Sequence, residues 1–167
     1  GADSVLEQAT WLDAAARADI LALTLLVANG FDNIGASHHD TKITALHLAA
    51  AQAREDCVCA IFELARSVGR AAAATTQHRP GPLDAYAYAV CRQVDDQGRS
   101  ALHSAAMVPD FRASSDQIDR TVRRLVSYGL SPWTVDNSQT TPLRLARNLG
   151  NTKAAKVLAD LVNAAGA

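Results

Sequence analysis

Glycine is sparse in this chain, nine residues in 167, and nowhere clusters behind an apolar run. Phosphate loops and dinucleotide-binding turns need closely spaced glycines to bring backbone amides onto a phosphate, so neither is present. A G-x-S-x-G nucleophile elbow is missing too. Long apolar runs are also absent. The longest, Ile20 to Ala28 around Thr24, is too short to span a bilayer, so no membrane partner is expected. An excess of one charge is lacking as well: 16 Lys and Arg face 17 Asp and Glu, for a net charge of −1. Duplex binding needs a basic stripe that displaces phosphate counterions, so nucleic acid is not expected as a partner. The densest basic group, Arg120, Arg123 and Arg124, reads as a solvated helix face. Cysteine is scarce and odd in number (Cys57, Cys59 and Cys91), and no secretory signal accompanies it. That argues against a disulfide framework and for a reducing intracellular compartment, cytoplasmic or nuclear. Cys57 and Cys59 project about 200° apart on a helix, without a second ligand pair downstream, so no zinc site is expected. No carboxylate pair is singled out by an apolar setting. The expectation is a chain with no catalytic residues, no metal and no cofactor, and hence not an enzyme.

What is present is self-similarity. Residues are 49% hydrophobic and 20% charged, the balance of an ordinary globular chain long enough for one continuous core. Thr44-Ala45-Leu46-His47-Leu48-Ala49-Ala50 recurs as Ser100-Ala101-Leu102-His103-Ser104-Ala105-Ala106. It recurs more loosely as Thr141-Pro142-Leu143-Arg144-Leu145-Ala146-Arg147. Each Thr or Ser is placed to cap a helix, and Pro142 follows its cap at the first helical position, where a missing N–H costs nothing. The alanine pairs let neighbouring helices approach, and Leu46, Leu102 and Leu143 are expected to point inward. Amphipathic second helices follow. Cys57, Ala60, Ile61, Leu64 and Ala65 keep helical spacing, as do Ile118, Thr121, Val122, Leu125 and Val126, and Lys153 to Val162 forms the last. Gly129 is a candidate C′ cap, with Pro132 as a stop beyond it.

These three copies resemble the T-P-L-H-x-A signature of the ankyrin repeat family. The resemblance implies an all-α solenoid of paired antiparallel helices joined by hairpin-like turns. It covers about residues 8–163, with repeats near 8–37, 38–69, 94–133 and 135–163. Trp11 to Ala15 stands for the first signature helix, and residues 1–7 and 164–167 are expected to be tails. Gly1-Ala2-Asp3 reads as a scar or the edge of an excised domain. Two departures lengthen the repeat. Against the family's period of about 33, the step from Thr44 to Ser100 leaves about 23 extra positions and that from Ser100 to Thr141 about 8. The larger insertion is expected over 70–92, as a loop around Pro80-Gly81-Pro82 followed by a short helix or strand bearing Tyr86 and Tyr88. The smaller is expected near Met107 to Ser115, between the two helices of repeat three.

The resemblance also implies that His47 and His103 bond locally and tie adjacent hairpins together, and that function lies on a surface. A partner protein is expected on the concave face of hairpin tips and first helices: His38, His39, Lys42 and Ile43; Asp95, Gln97 and Arg99; Asn137, Gln139 and Thr140. Exposed first-helix positions Gln52, Arg54 and Arg147 complete that groove. Ile43 serves either recognition or stability. Tyr86 and Tyr88 are either aromatic anchors for a partner or pins that fix the insertion to the second helices. The function expected is a protein–protein interaction scaffold or adaptor, monomeric when free. The alternative is a regulatory or substrate-recruiting domain cut from a larger enzyme, a transcriptional regulator or a secreted effector.

Overall fold

A computed structural model describes residues 2–75 and 84–166. Among them lie α1 (Ala2–Ala16), α2 (Ile20–Ala28), α3 (Ala45–Ala51), α4 (Glu55–Thr75), α5 (Ala85–Cys91), α6 (Ala101–Ala106), α7 (Ser115–Ser127), α8 (Pro142–Leu149) and α9 (Thr152–Gly166). The described residues hold no strand, only an isolated antiparallel bridge between Ser37 and Thr44. The pairs α1–α2, α3–α4, α6–α7 and α8–α9 are helical hairpins. First helices pack in one row and second helices in another. The all-α solenoid expected from the sequence is the fold.

The signature residues act as their chemistry requires. Thr44, Ser100 and Thr141 each accept the amide three residues on, from His47, His103 and Arg144, satisfying an orphan helical donor. Ala49, Ala50, Ala105 and Ala106 are buried, and their small side chains let α3 and α6 close on each other. Leu46 and Leu102 are buried as expected. Leu143 is only half-buried, and Leu145 takes the inward place in α8, with no further repeat packed on that side among the described residues.

Two of the second helices, α2 and α7, stop at glycine. Gly30 and Gly129 have φ of 105° and 96°, and the amides of Phe31 and Leu130 reach back to Leu26 and Leu125, closing Schellman-type ends. Gly69 stands as far beyond Arg54 as Gly129 stands beyond Ser114. Yet α4 runs through it to Thr75, so the insertion begins as a helical extension. Gly69 is needed there for another reason: a Cβ would lie 2.9 Å from the Cβ of Tyr86 on α5. Pro80-Gly81-Pro82 lies outside the described residues.

The tail expected over residues 1–7 is corrected in part, since α1 already starts at Ala2. Residues 2–9 thus form extra helix where later repeats carry a turn. In α2, Leu21 and Leu25 are 69% and 52% exposed. Aligning the helix starts at Asp19 and Asn151, they match Lys153 and Val157 of α9, which meet the preceding repeat through Asp110 and α7. The first repeat has no such neighbour among the described residues.

Candidate protein-interaction face

Before α3, α6 and α8 the chain makes a hairpin turn, or finger, over residues 38–43, 95–99 and 136–140. In the last two an aspartate braces the turn. Asp95 Oδ1 accepts the amides of Gln97 and Arg99, each at 2.9 Å. Asp136 Oδ1 accepts those of Ser138 and Thr140, at 2.8 and 3.0 Å. The first finger has His38 in that place and is one residue longer: the Lys42 amide returns to the His38 carbonyl, whereas the Gly98 amide returns to Asp95. Two residues before each capping Thr or Ser the backbone is left-handed, with φ of 61° at Lys42, 74° at Gly98 and 61° at Gln139.

The fingers are bonded to one another. Asp96 N–H donates to Thr41 O at 2.8 Å and Asn137 N–H to Gln97 O at 2.9 Å. The Asn137 side-chain amide adds a bond to Asp96 O at 3.2 Å. The histidines lock the fingers to the helices. Thr44 N–H donates to His47 Nδ1 (3.3 Å) and Ser100 N–H to His103 Nδ1 (3.2 Å). Nδ1 is therefore the acceptor, and the ring proton sits on Nε2. Those protons go to Arg99 O and Thr140 O, at 2.9 and 2.8 Å. Burial pushes both imidazole pKa values below the ordinary one, against the upward pull of the carbonyl acceptors. Among the described residues no three His, Cys, Asp or Glu converge to hold a metal ion.

On this frame the expected contact residues separate. His38, His39, Lys42, Gln97, Asn137 and Gln139 are exposed along the fingers, joined by Asp96 and Ser138, which the sequence did not single out. Ile43 and Thr140 are half-buried, and their carbonyls close the turn and accept His103 respectively. Arg99 spans the groove, with Nε 3.5 Å from buried Asp136 and Nη1 3.5 Å from Met107 Sδ. Gln52 ties repeats together, donating to Ala15 O and Leu48 O.

Two expected groove positions are corrected. Arg54 lies past the far end of α3, paired with Asp56 at 2.8 Å. Arg147 occupies the register of Ala15, Ala50 and Ala106, and the carbonyls of Ala15 and Ala106 bond to the next repeat through Gln52 and Asn151. Arg147 is thus exposed on the side of α8 that no other described repeat covers.

The insertion is pinned. Tyr86 Oη donates to Asp32 O and accepts from Ile34 N–H, both at 3.0 Å, and Gln93 donates to Gly35 O at 3.1 Å. Asp84 pairs with Arg66 and Arg70 at 3.3 and 3.1 Å. Ala87, Val90 and Cys91 are buried. Tyr88 stands edge-on to Phe62, whose other neighbour, Tyr128, stacks on it at 3.8 Å. Tyr88 keeps 37% exposure.

No protein-family model matches the chain, and no curated protein sequence matches it. Solved structures do. A chain from the crystal structure of the yeast ribosomal protein Rps3 in complex with its chaperone Yar1 superposes with a TM-score of 0.68 at 22% identity. That match covers 89% of this chain and 88% of the other. An ankyrin repeat protein, EF0377, matches with a TM-score of 0.60 at 20% identity over 89% of this chain. The match spans only 62% of EF0377, less than two thirds of its length. At these identities the likeness is one of fold.

Proposed function

We propose that this ankyrin-repeat solenoid is a protein-interaction module that takes its partner along the row of fingers and the adjoining first helices. The observation that carries the reading is the finger ladder. Bonds from Asp96 N–H to Thr41 O and from Asn137 N–H to Gln97 O join the finger backbones, and the side chains of His39, Gln97 and Gln139 stand exposed on that frame. A preformed row of polar side chains loses little freedom on binding, which is where much of the cost of association lies. A neighbour in fold taken from a complex of a ribosomal protein with its chaperone is a precedent for a protein partner. No helix among the described residues is long and apolar enough to cross a membrane. The reading extends to a scaffold or adaptor role inside the cell and to a monomeric free state.

The test is affinity capture from the native cell, comparing wild type with His39→Ala/Gln97→Ala/Gln139→Ala. Arg99 is left intact because its side chain bridges two repeats, reaching Asp136 of the next finger. A partner retained by wild type and lost by the triple variant, with unchanged circular dichroism, supports the finger face. Retention by the triple variant sinks it.

A further inference from the structure

At the end of the first helices away from the fingers lies an open groove of about 470 Å³, lined by Ala16, Leu48, Ala51, Gln52, Met107, Pro109 and Arg112. Three of those come from the long connection 107–114 between α6 and α7, where α3 and α4 need only 52–54. This longer connection is braced. Asp110 accepts the amides of Thr152 and Lys153 (3.2 and 3.0 Å) and the Thr152 hydroxyl (2.5 Å). The Lys153 ammonium donates back to Asp110 O and Ala113 O, at 2.7 and 3.0 Å. The amide of Arg112 closes a turn on Pro109 O at 3.0 Å. At the apex, between two groove-lining residues, Phe111 is 87% exposed.

An isolated exposed apolar residue needs no explanation, but one that stands in the chain between Pro109 and Arg112 of a largely apolar groove, on a braced loop, is placed to extend that surface. The charge around it is one-sided. Asp110 is taken up by the start of α9, and Asp13, on the first helix beyond Ala16, is paired with Arg17 at 3.0 Å. Arg112 has no carboxylate partner among the described residues.

We infer that Phe111, Arg112 and this groove form a docking site for a linear segment of a partner protein, apolar at its centre and flanked by Asp or Glu. The apolar side chain enters between Leu48 and Met107, Phe111 covers it, and the carboxylate meets the guanidinium of Arg112. Methionine suits such a site because its unbranched thioether adapts to the side chain offered. The inference rests on the protein-binding reading and adds to it a second contact, its location and the partner's chemistry.

The probe is a phage-displayed library of random linear peptides panned on the full chain, followed by synthetic peptides of the recovered consensus. The expected consensus pairs an aromatic or aliphatic residue with a neighbouring acid. Phe111→Ser is expected to weaken the peptide at least about tenfold. Arg112→Glu is expected to weaken it too, and a peptide with the acid changed to Lys should recover affinity for that variant. Both changed side chains are on an exposed loop, and circular dichroism checks that the fold is kept. A basic consensus, affinity indifferent to Phe111→Ser, or an absence of any selected peptide overturns the inference. Peptides lost only on His39→Ala/Gln97→Ala/Gln139→Ala overturn it as well while leaving the finger reading standing.

Discussion

His103 Nε2 donates to the carbonyl of Thr140, 2.8 Å away and in the next repeat, and its Nδ1 accepts the amide of Ser100 within its own repeat. One buried ring therefore caps the start of a helix and fastens the next finger. Replacing it strands two main-chain groups, one on each side. His103→Ala should lower stability by about 2–3 kcal/mol, read as a shift in urea midpoint. Leu102→Ala beside it, a pure core truncation, should cost roughly 2–5 kcal/mol. An unchanged midpoint in either would contradict the packing described.

Acid should weaken the same joints. The folded pKa of His47 and of His103 lies below the ordinary 6.5 because burial disfavours the cation. Above about pH 6.5 both folded and unfolded rings are neutral, and these groups leave stability independent of pH. As pH falls below that value the unfolded chain takes up protons that the folded chain resists, so stability declines until the lowered folded values are reached. Urea titrations at pH 7.5 and at pH 5 should show that decline, and His47→Gln/His103→Gln should flatten it.

The fingers carry correctable strain. Gly98 occupies the left-handed position without penalty, whereas Lys42 and Gln139 hold it with a Cβ. Lys42→Gly and Gln139→Gly should each stabilise by roughly 0.5–1 kcal/mol, the left-handed cost less the extra freedom glycine gains when unfolded. Gly98→Ala should destabilise more than either gains, because its Cβ would overlap Asn137 Oδ1 as well as straining the backbone.

Tyr86→Phe separates pinning from recognition in the insertion. It removes the hydroxyl that satisfies the Ile34 amide and should cost about 1–3 kcal/mol in thermal or urea unfolding. Tyr88→Ala, which removes an edge contact at a half-open site, should cost less than Tyr86→Phe if Tyr86 is the pin.

Asp110→Ala should leave the first three repeats as they are and loosen the last. Thr152 and Lys153 would lose the carboxylate that accepts their amides. Hydrogen exchange should speed up over the first turn of α9 and stay unchanged in α3 and α6.

Much of this was legible in the chain. The spacing Thr-x-x-His, repeated with the same leucines and alanines, sets helix starts, capping and a buried imidazole, because those are local consequences of helical periodicity and of side chains that bond their own backbone. Gly129 could be read as a helix end for the same reason. Phe111 does not stand out in the sequence, because Met107, Val108, Pro109 and Ala113 of the same connection are apolar too. Gly69 carries no signal in the sequence for its place, where two helices touch, since only the docking of α5 fills the space a Cβ would take. Arg147 resembled a groove residue until its register showed it to be where a further repeat would stack. The sequence by itself determined the repeat, its helices and their caps. Which side chains are spent holding repeats together, and which remain free for a partner, was decided only in the tertiary structure, because that depends on neighbours a whole repeat or more away along the chain.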